Sequence, residues 1–475
     1  MSPKQKKQKK VLKHGLKDVV WRELGMELPK EHQKADWGGE TTPEMLGYAA
    51  KDSQVLPPLA DVLDAKVQVD DLAQILAMER RVTPAMIWMA TAGVPIDGEG
   101  WKGYQTRTKA EVAEAQERLD ELAPDHPERG TWNWNSWQQI VRAFEFLGHW
   151  LPDTKKETLS ACDHPLAEAL LEYRNAKKRL DVCGQWLTRA HNGRVYASWS
   201  QVGAETGRMS CSEPNLQNLQ KGDEMRRFVR APEGRVLIKA DYSQMELRIL
   251  AQLSGDPAMI GAFEKGEDLH KATAAKMYGI PEEEVTSRQR SSAKAISFGI
   301  VYGMTPTGLA SRLGTDQATA SELIEQYFLA YPKVKQYLDT NATLAIRTGA
   351  LRTPIGRVRR FGESSSMSRR ERNEVGRQAK NLPIQGCCAD GLKFSLVLLW
   401  ERRHEFPGAP PVLAVHDEIV VEVDEDKAEE AQAWLKATMV EGMERALNDP
   451  DAEGPRVPVG VEVKMEVKIG KSWNS

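Results

Sequence analysis

Residues 412–423 read VLAVHDEIVVEV, two β-branched apolar runs with His416, Asp417 and Glu418 set between them. Runs this short and this rich in Val, Ile and Leu specify a pair of buried strands rather than a helix. A second strand pattern, RVLIKADYS at 235–243, also leads from apolar residues into an acid, Asp241. Between the two lies a mostly helical block from about 257 to 345. One sheet must therefore be assembled from segments far apart in the chain. A buried carboxylate is costly unless something positive meets it, so the acids at these strand ends demand a partner. A hairpin turn whose acids face water is the plainer reading, and the rest of the chain has to decide.

The 475 residues are enough for roughly three domains. With 65 basic residues against 68 acidic ones, the net charge of −3 excludes nucleic-acid binding by bulk charge, and any basic surface must be local. The five cysteines (Cys162, Cys183, Cys211, Cys387, Cys388) are odd in number and lack a C-x-x-C pair. That pattern argues against a disulfide framework and against a zinc site, and favours a reducing compartment. The absence of 18 consecutive apolar residues, and of an apolar run behind MSPKQKKQKK, leads to the expectation of a cytoplasmic protein that enters no membrane.

Residues 1–10 offer no apolar surface to bury and are expected to be disordered. Short amphipathic helices are expected from 11 to 63, broken at Pro29, at 37–43 and at Pro57-Pro58. Longer helices are expected over 70–92, 101–123, 136–147, 165–190 and 383–403, with strands over 194–202 and 457–469.

Three stretches gain meaning together. In ADYSQMELRILAQLSGD (240–256), Asp241 sits at a strand-to-helix junction, where a helix-capping role is the bland alternative. In RSSAKAISFGIVYG (290–303), Arg290, Lys294, Phe298 and Tyr302 recur every four residues and so line one slowly rotating stripe of a helix. A core-facing stripe would not hold two cations, and a solvated stripe would not hold two aromatic rings. The combination fits a ligand with a polyphosphate at one end and a flat base at the other. If the third stretch, around Asp417, lies beside Asp241, the two acids could chelate a pair of Mg²⁺ ions, which also take oxygens from a substrate phosphate. The chemistry that emerges is nucleotidyl transfer.

These stretches resemble the motifs of the family A DNA polymerases, the group of bacterial DNA polymerase I and related phage enzymes, and the resemblance runs from residue 11 to the end. DYSQMELR (241–248) is similar to the family's first acidic motif, RSSAKAISFGIVYG to its nucleotide-binding helix, and VHDEIVVEV to its second acidic motif. TGRMSCSEPNLQNLQ (206–220), DLHKATA (268–274) and RQAKNLPIQGCCAD (377–390) resemble further family segments.

The resemblance implies an α+β right-hand fold of palm, fingers and thumb with an antiparallel palm sheet, Asp241 and Asp417 on neighbouring strands. It implies two catalytic Mg²⁺ ions, with Mn²⁺ able to substitute, held by Asp241, Asp417 and the Tyr242 carbonyl, with Glu418 in support. Arg290 and Lys294 would bind the triphosphate, and Lys294 would protonate the pyrophosphate. Phe298, Tyr302, Gln244 and His270 would shape the nucleotide pocket, and Glu246 would exclude a ribose 2′-hydroxyl. Arg208, Arg377, Asn381, Gln385 and His416 would contact primer and template. Phe298, where some phage relatives carry Tyr, implies discrimination against dideoxynucleotides. The implied partners are primed DNA and deoxynucleoside triphosphates, and the chain is expected to act as a monomer in a bacterial or phage-infected cell.

The expected divisions are a 3′–5′ exonuclease remnant (1–80), a connecting helix and thumb (81–195), palm (196–256), fingers (257–384) and palm again (385–475). In the remnant, Tyr48-Ala-Ala-Lys-Asp52 resembles the last exonuclease motif, yet no D-x-E pair precedes it, so no proofreading is expected. Phosphate contacts are expected from KKR (177–179), RR (226–227) and RVRR (357–360). Two rival readings are a non-catalytic primer–template binding protein, which would require loss of a metal acid or of Lys294, and a polymerase that also copies RNA.

Overall fold

The computed structural model describes residues 14–33, 35–128, 130–219, 222–447 and 461–475, and resolves two compact units, Met1–Ala77 and Met78–Ser475. The expected disordered start and the first residues of the 457–469 strand fall outside the described residues.

In the first unit, helices Leu16–Leu24, Pro43–Gln54 and Leu56–Val69 gather around Val20, Leu28, Val55 and Leu59, and its described residues contain no strand. The helix break expected at Pro57-Pro58 falls just ahead of the two prolines, at Val55, which separates Pro43–Gln54 from Leu56–Val69. The prolines themselves fall in the first turn of Leu56–Val69, where a missing N–H removes no helical bond.

The second unit is organised by a four-stranded sheet in the order Met465–Gly470, Arg235–Tyr242, Glu418–Asp424, Pro411–Val415, every neighbouring pair antiparallel. Strand alternation divides its side chains between two faces. Leu237 and Val420 join a core with Trp101, Trp186 and Trp473, in which the rings of Trp101 and Trp186 stack at 5.0 Å. On the other face the Tyr242 hydroxyl bonds Ser395 Oγ at 2.8 Å and donates to the Met439 carbonyl at 2.6 Å, fastening the sheet to the helices Arg369–Glu401 and Ala428–Leu447. Those two helices cross closely because Gly442 has no side chain: a Cβ there would lie 2.6 Å from the Ser395 nitrogen. Helices Gly98–Leu122, Trp137–Phe146 and Pro165–Thr188 enclose a separate core of Leu119, Trp132, Trp134, Phe144 and Leu170.

The long helix starts earlier than expected. Ser368 and Glu371 form a capping box, and the charged run of good helix formers behind it continues through Pro383 to Glu401. By length and composition it is apolar enough to cross a membrane, but its apolar window is wholly buried in the protein. The expected strand over 194–202 is two short pieces, Arg194–Val195 and Ser198–Ser200, in different sheets.

Four buried charges cross-link this unit. Arg357 donates to Glu79 Oε1 at 2.6 Å and to Asp390 Oδ1 at 2.8 Å, Lys393 reaches the same Glu79 oxygen, and Thr353 donates to Asp390 at 3.0 Å. Gln201 also donates to Glu79, so the helix Ala73–Ala92, the long helix and the 201–208 segment are tied at one point.

Candidate active site

Pro411–Val415 turns into Glu418–Asp424 through the two-residue loop His416-Asp417, with Val415 opposite Glu418. His416 adopts φ 54°, a left-handed conformation that costs a non-glycine residue about 1 kcal/mol or more. Asp417 therefore stands in the loop and not on a strand, which corrects the expected placement; the residue facing Asp241 across the sheet is Glu418. Asp417 still meets its expected partner, because its carbonyl accepts a hydrogen bond from the Tyr242 nitrogen at 3.2 Å. A cavity of about 250 Å³ is lined by Gln217, Leu219, Arg226, Asp241, Val415, His416, Asp417 and Glu418. The two acidic stretches do converge.

Burial pushes the Asp417 carboxyl up to about 6, and Glu246 and Asp241 add to the shift against the pull of Arg208. Burial also raises Glu418, opposed by Trp473 and Arg226, and lowers His416 together with the cations Arg208 and Arg226. Asp241, Asp417 and Glu418 thus share one cavity, with Arg226 as the arginine among its lining residues. Hard carboxylate oxygens fit a divalent cation such as Mg²⁺. Among the described residues no group of three or more His, Cys, Asp and Glu side chains is arranged to hold a metal ion.

The basic helix is Ser287–Val301, opened by a capping box of Thr286 and Gln289. It buries Ala293, Ile296, Ser297 and Ile300, and turns Arg290, Lys294 and Phe298 to its uncovered side, with Tyr302 at its C-cap. The four-residue stripe is therefore one continuous face. Arg290 Nε is held by Asp268 Oδ2 at 2.7 Å. His270, only 2% exposed, lies against Phe298 at 5.8 Å between ring centroids, and burial lowers its pKa to about 4. A ligand on this face meets Phe298 before His270.

Glu246, 5% exposed, accepts from Arg208 Nη2 at 2.9 Å and from the Tyr302 hydroxyl at 3.1 Å, which links the basic helix to the acidic cavity. Gln244 holds φ 52° at the N-cap of Met245–Ser254. Arg208 Nε, Gln244 Oε1 and His270 Nδ1 are buried without a hydrogen-bond partner among the described residues. Arg377, Asn381 and Gln385 run along the long helix from exposed to buried, and the Arg377 carbonyl sits 3.0 Å from where a Cβ on Gly303 would lie.

The basic clusters are largely engaged within the chain. Arg179 pairs with Glu111, Arg227 with Glu224, Arg357 with buried acids and Arg359 with Glu205. Arg226 donates to the Leu219 carbonyl at 2.8 Å and lies over the ring of Trp473. Two residues escaped the sequence reading: Trp473, which bonds Glu418, and Asp268, which holds Arg290. Neither stands at a periodicity that would betray its role, although DLHKATA did mark the segment of Asp268.

The profile of DNA polymerase family A matches residues 102–475. The chain belongs to DNA polymerase family A. Among its family A relatives, the thermostable DNA polymerase I of Thermus aquaticus is 33% identical over 461 residues, covering 92% of this chain and 52% of that protein. DNA polymerase I of Caldicellulosiruptor bescii is 35% identical over 408 residues, covering 82% and 46%. The family A chain thus spans about half the length of the curated relatives it matches. The POL domain of Pol1 from M. smegmatis, solved in complex with DNA primer-template and dNTP, superimposes with a TM-score of 0.83 at 30% identity, covering 97% of this chain and 79% of that one. The expected α+β polymerase fold with an antiparallel sheet is borne out.

Proposed function

We propose that this chain is a DNA-directed DNA polymerase that adds deoxynucleotides to a primer 3′-hydroxyl and releases pyrophosphate. The observation that carries the reading is the meeting of Asp241 and Asp417 in one cavity of a family A chain. Two divalent cations, held by Asp241, Asp417 and the Tyr242 carbonyl, would supply the Lewis acidity for an in-line displacement. Arg290 and Lys294 bind the triphosphate, and Lys294 Nζ gives a proton to the departing pyrophosphate. Phe298 and Tyr302 stack on the nascent base pair, with Gln244 and His270 beside them. Glu246, fixed by Arg208 and Tyr302, fills the space that a 2′-hydroxyl would need. Glu418 supports the metal acids.

Arg208, Arg377, Asn381, Gln385 and His416 meet the primer–template, a role supported by the DNA primer-template and dNTP named for the M. smegmatis relative. The division of the chain is proposed as thumb within 81–195, palm at 196–256 and 385–475, and fingers at 257–384. The segment before residue 81 is proposed as an exonuclease remnant without proofreading. In support, its described residues form helices and loops with no strand, and Asp52 has Tyr48 as its interacting neighbour.

The test is extension of a labelled, 3′-recessed DNA primer with Mg²⁺ and all four deoxynucleotides, beside Asp417→Ala and a lane without nucleotides. Template-directed growth lost in the variant is expected, with an intact primer in the nucleotide-free lane. No growth by the wild type would refute the polymerase reading, and a shortened primer would refute the loss of proofreading.

A further inference from the structure

One carboxylate of the site is held by a residue outside every motif above. Trp473, 1% exposed, donates its indole Nε1–H to Glu418 Oε1. The Arg226 guanidinium lies 3.8 Å from the centre of the same ring and lines the cavity with Asp241, Asp417 and Glu418. The indole thus meets an anion of the site at its N–H edge and a cation over its face. Its backbone is anchored as firmly: Trp473 N donates to the Val229 carbonyl at 2.9 Å, and Lys239 Nζ donates to the Trp473 carbonyl at 2.9 Å.

Packing alone does not require this arrangement. A buried indole N–H usually finds an acceptor, yet Trp101 and Trp186, in the same core, find none among the described residues. Trp473 instead spends its one donor on a carboxylate that faces Asp241 across the sheet and follows Asp417 in the chain.

We propose that Trp473 is a positioning residue of the polymerase site, fixing the Glu418 carboxylate at the edge of its ring and the Arg226 guanidinium over its face. A loosened Glu418 would be a third acid free to compete with Asp241 and Asp417 for the same cations. Held by the indole, it keeps its charge near the pair while its oxygen stays out of their positions. Arg226, stacked over the ring face, is kept from collapsing onto the acids. This inference rests on the polymerase reading above.

The test is Trp473→Phe, which keeps a ring for Arg226 and removes the N–H. Because small displacements near reacting groups cost large factors in rate, kcat is expected to fall roughly tenfold or more. The KM for deoxynucleotides and the Kd for primer–template are expected to stay within about twofold, and W473F should add little in a Glu418→Gln background. A second readout needs no turnover. In protein carrying ¹⁵N-labelled tryptophan, the indole signal missing from W473F is expected to shift in E418Q.

Unchanged kcat, losses that multiply independently in the double variant, or an unmoved indole signal would each overturn the proposal. If W473F does not fold, Trp473→Tyr identifies the missing indole signal, and the E418Q spectrum then decides. A wild type that extends no primer refutes the polymerase reading instead, while the spectrum still judges the contact.

Discussion

Replacing Glu79 with glutamine removes the ion-pair partner of Lys393, whose side chain is fully buried, and one of the two acids on Arg357. In the wild type two acids and two bases cancel. In the variant, one positive charge is left over in a place water barely reaches, since the side chains of Arg357 and Asp390 are 9% and 0% exposed. Removing one partner of a buried pair costs about 3–5 kcal/mol, and the glutamine oxygen still accepts a hydrogen bond, so about 3 kcal/mol is expected at neutral pH.

Lys393 has one escape, which is to lose its proton. Burial and the Arg357 charge already lower its pKa, against the pull of Glu79. Without Glu79 that pKa falls further. A lysine whose folded pKa lies below its unfolded one favours the folded state more as pH rises, so the deficit of E79Q should shrink toward about pH 9.5. Urea denaturation followed by circular dichroism at both pH values measures this. A loss below about 1 kcal/mol at neutral pH, or a deficit that grows with pH, would refute the account of the network as a desolvated, mutually neutralised cluster.

Two further perturbations probe the site. The Arg290–Asp268 pair is 43% and 38% exposed and so contributes at most about 1 kcal/mol; Asp268→Asn, which keeps the helix-capping oxygen, should free Arg290 and lower the KM for deoxynucleotides by up to about fivefold without changing kcat. A raised KM would mean that Asp268 orients Arg290 productively. Gly207 holds φ +83°, and a Cβ there would lie 2.5 Å from Arg357 Nε, so Gly207→Ala should cost about 1–3 kcal/mol and, by displacing Arg208, weaken primer–template binding. Unchanged melting and unchanged Kd would show that Arg208 is placed by other contacts.

Much of the site could be read from local pattern because its parts are local patterns. A stripe of Arg290, Lys294, Phe298 and Tyr302 is visible to anyone counting by fours, and an acid at the end of an apolar run marks Asp241. Asp417 was assigned to a strand, not a loop, because periodicity cannot tell the last residue of a turn from the first of a strand when His416 takes a left-handed φ. The long helix began earlier than Pro383 promised, since the capping box of Ser368 and Glu371 upstream outweighed the proline's lost hydrogen bond. Basic clusters misled for another reason: Arg357 and Arg359 meet acids from distant segments, and no local rule foretells such partners. Trp473 was invisible because its meaning depends on Glu418 and Arg226, neither near it in sequence.

The order of strands in the sheet also bears on how the protein is made. Arg235–Tyr242 pairs on one side with Glu418–Asp424 and on the other with Met465–Gly470, both synthesised long after it. Domains emerge from the ribosome N-terminus first, and pairings across such long stretches of chain form slowly. Asp241 must therefore wait, its strand edges unmatched, until the whole helical insertion has been translated. The second acid arrives with the hairpin, and the indole that bonds Glu418 is made 55 residues after that glutamate. A nascent chain can fold its helices early, but it cannot bring these side chains together until the hairpin and the strand that follows it have both emerged.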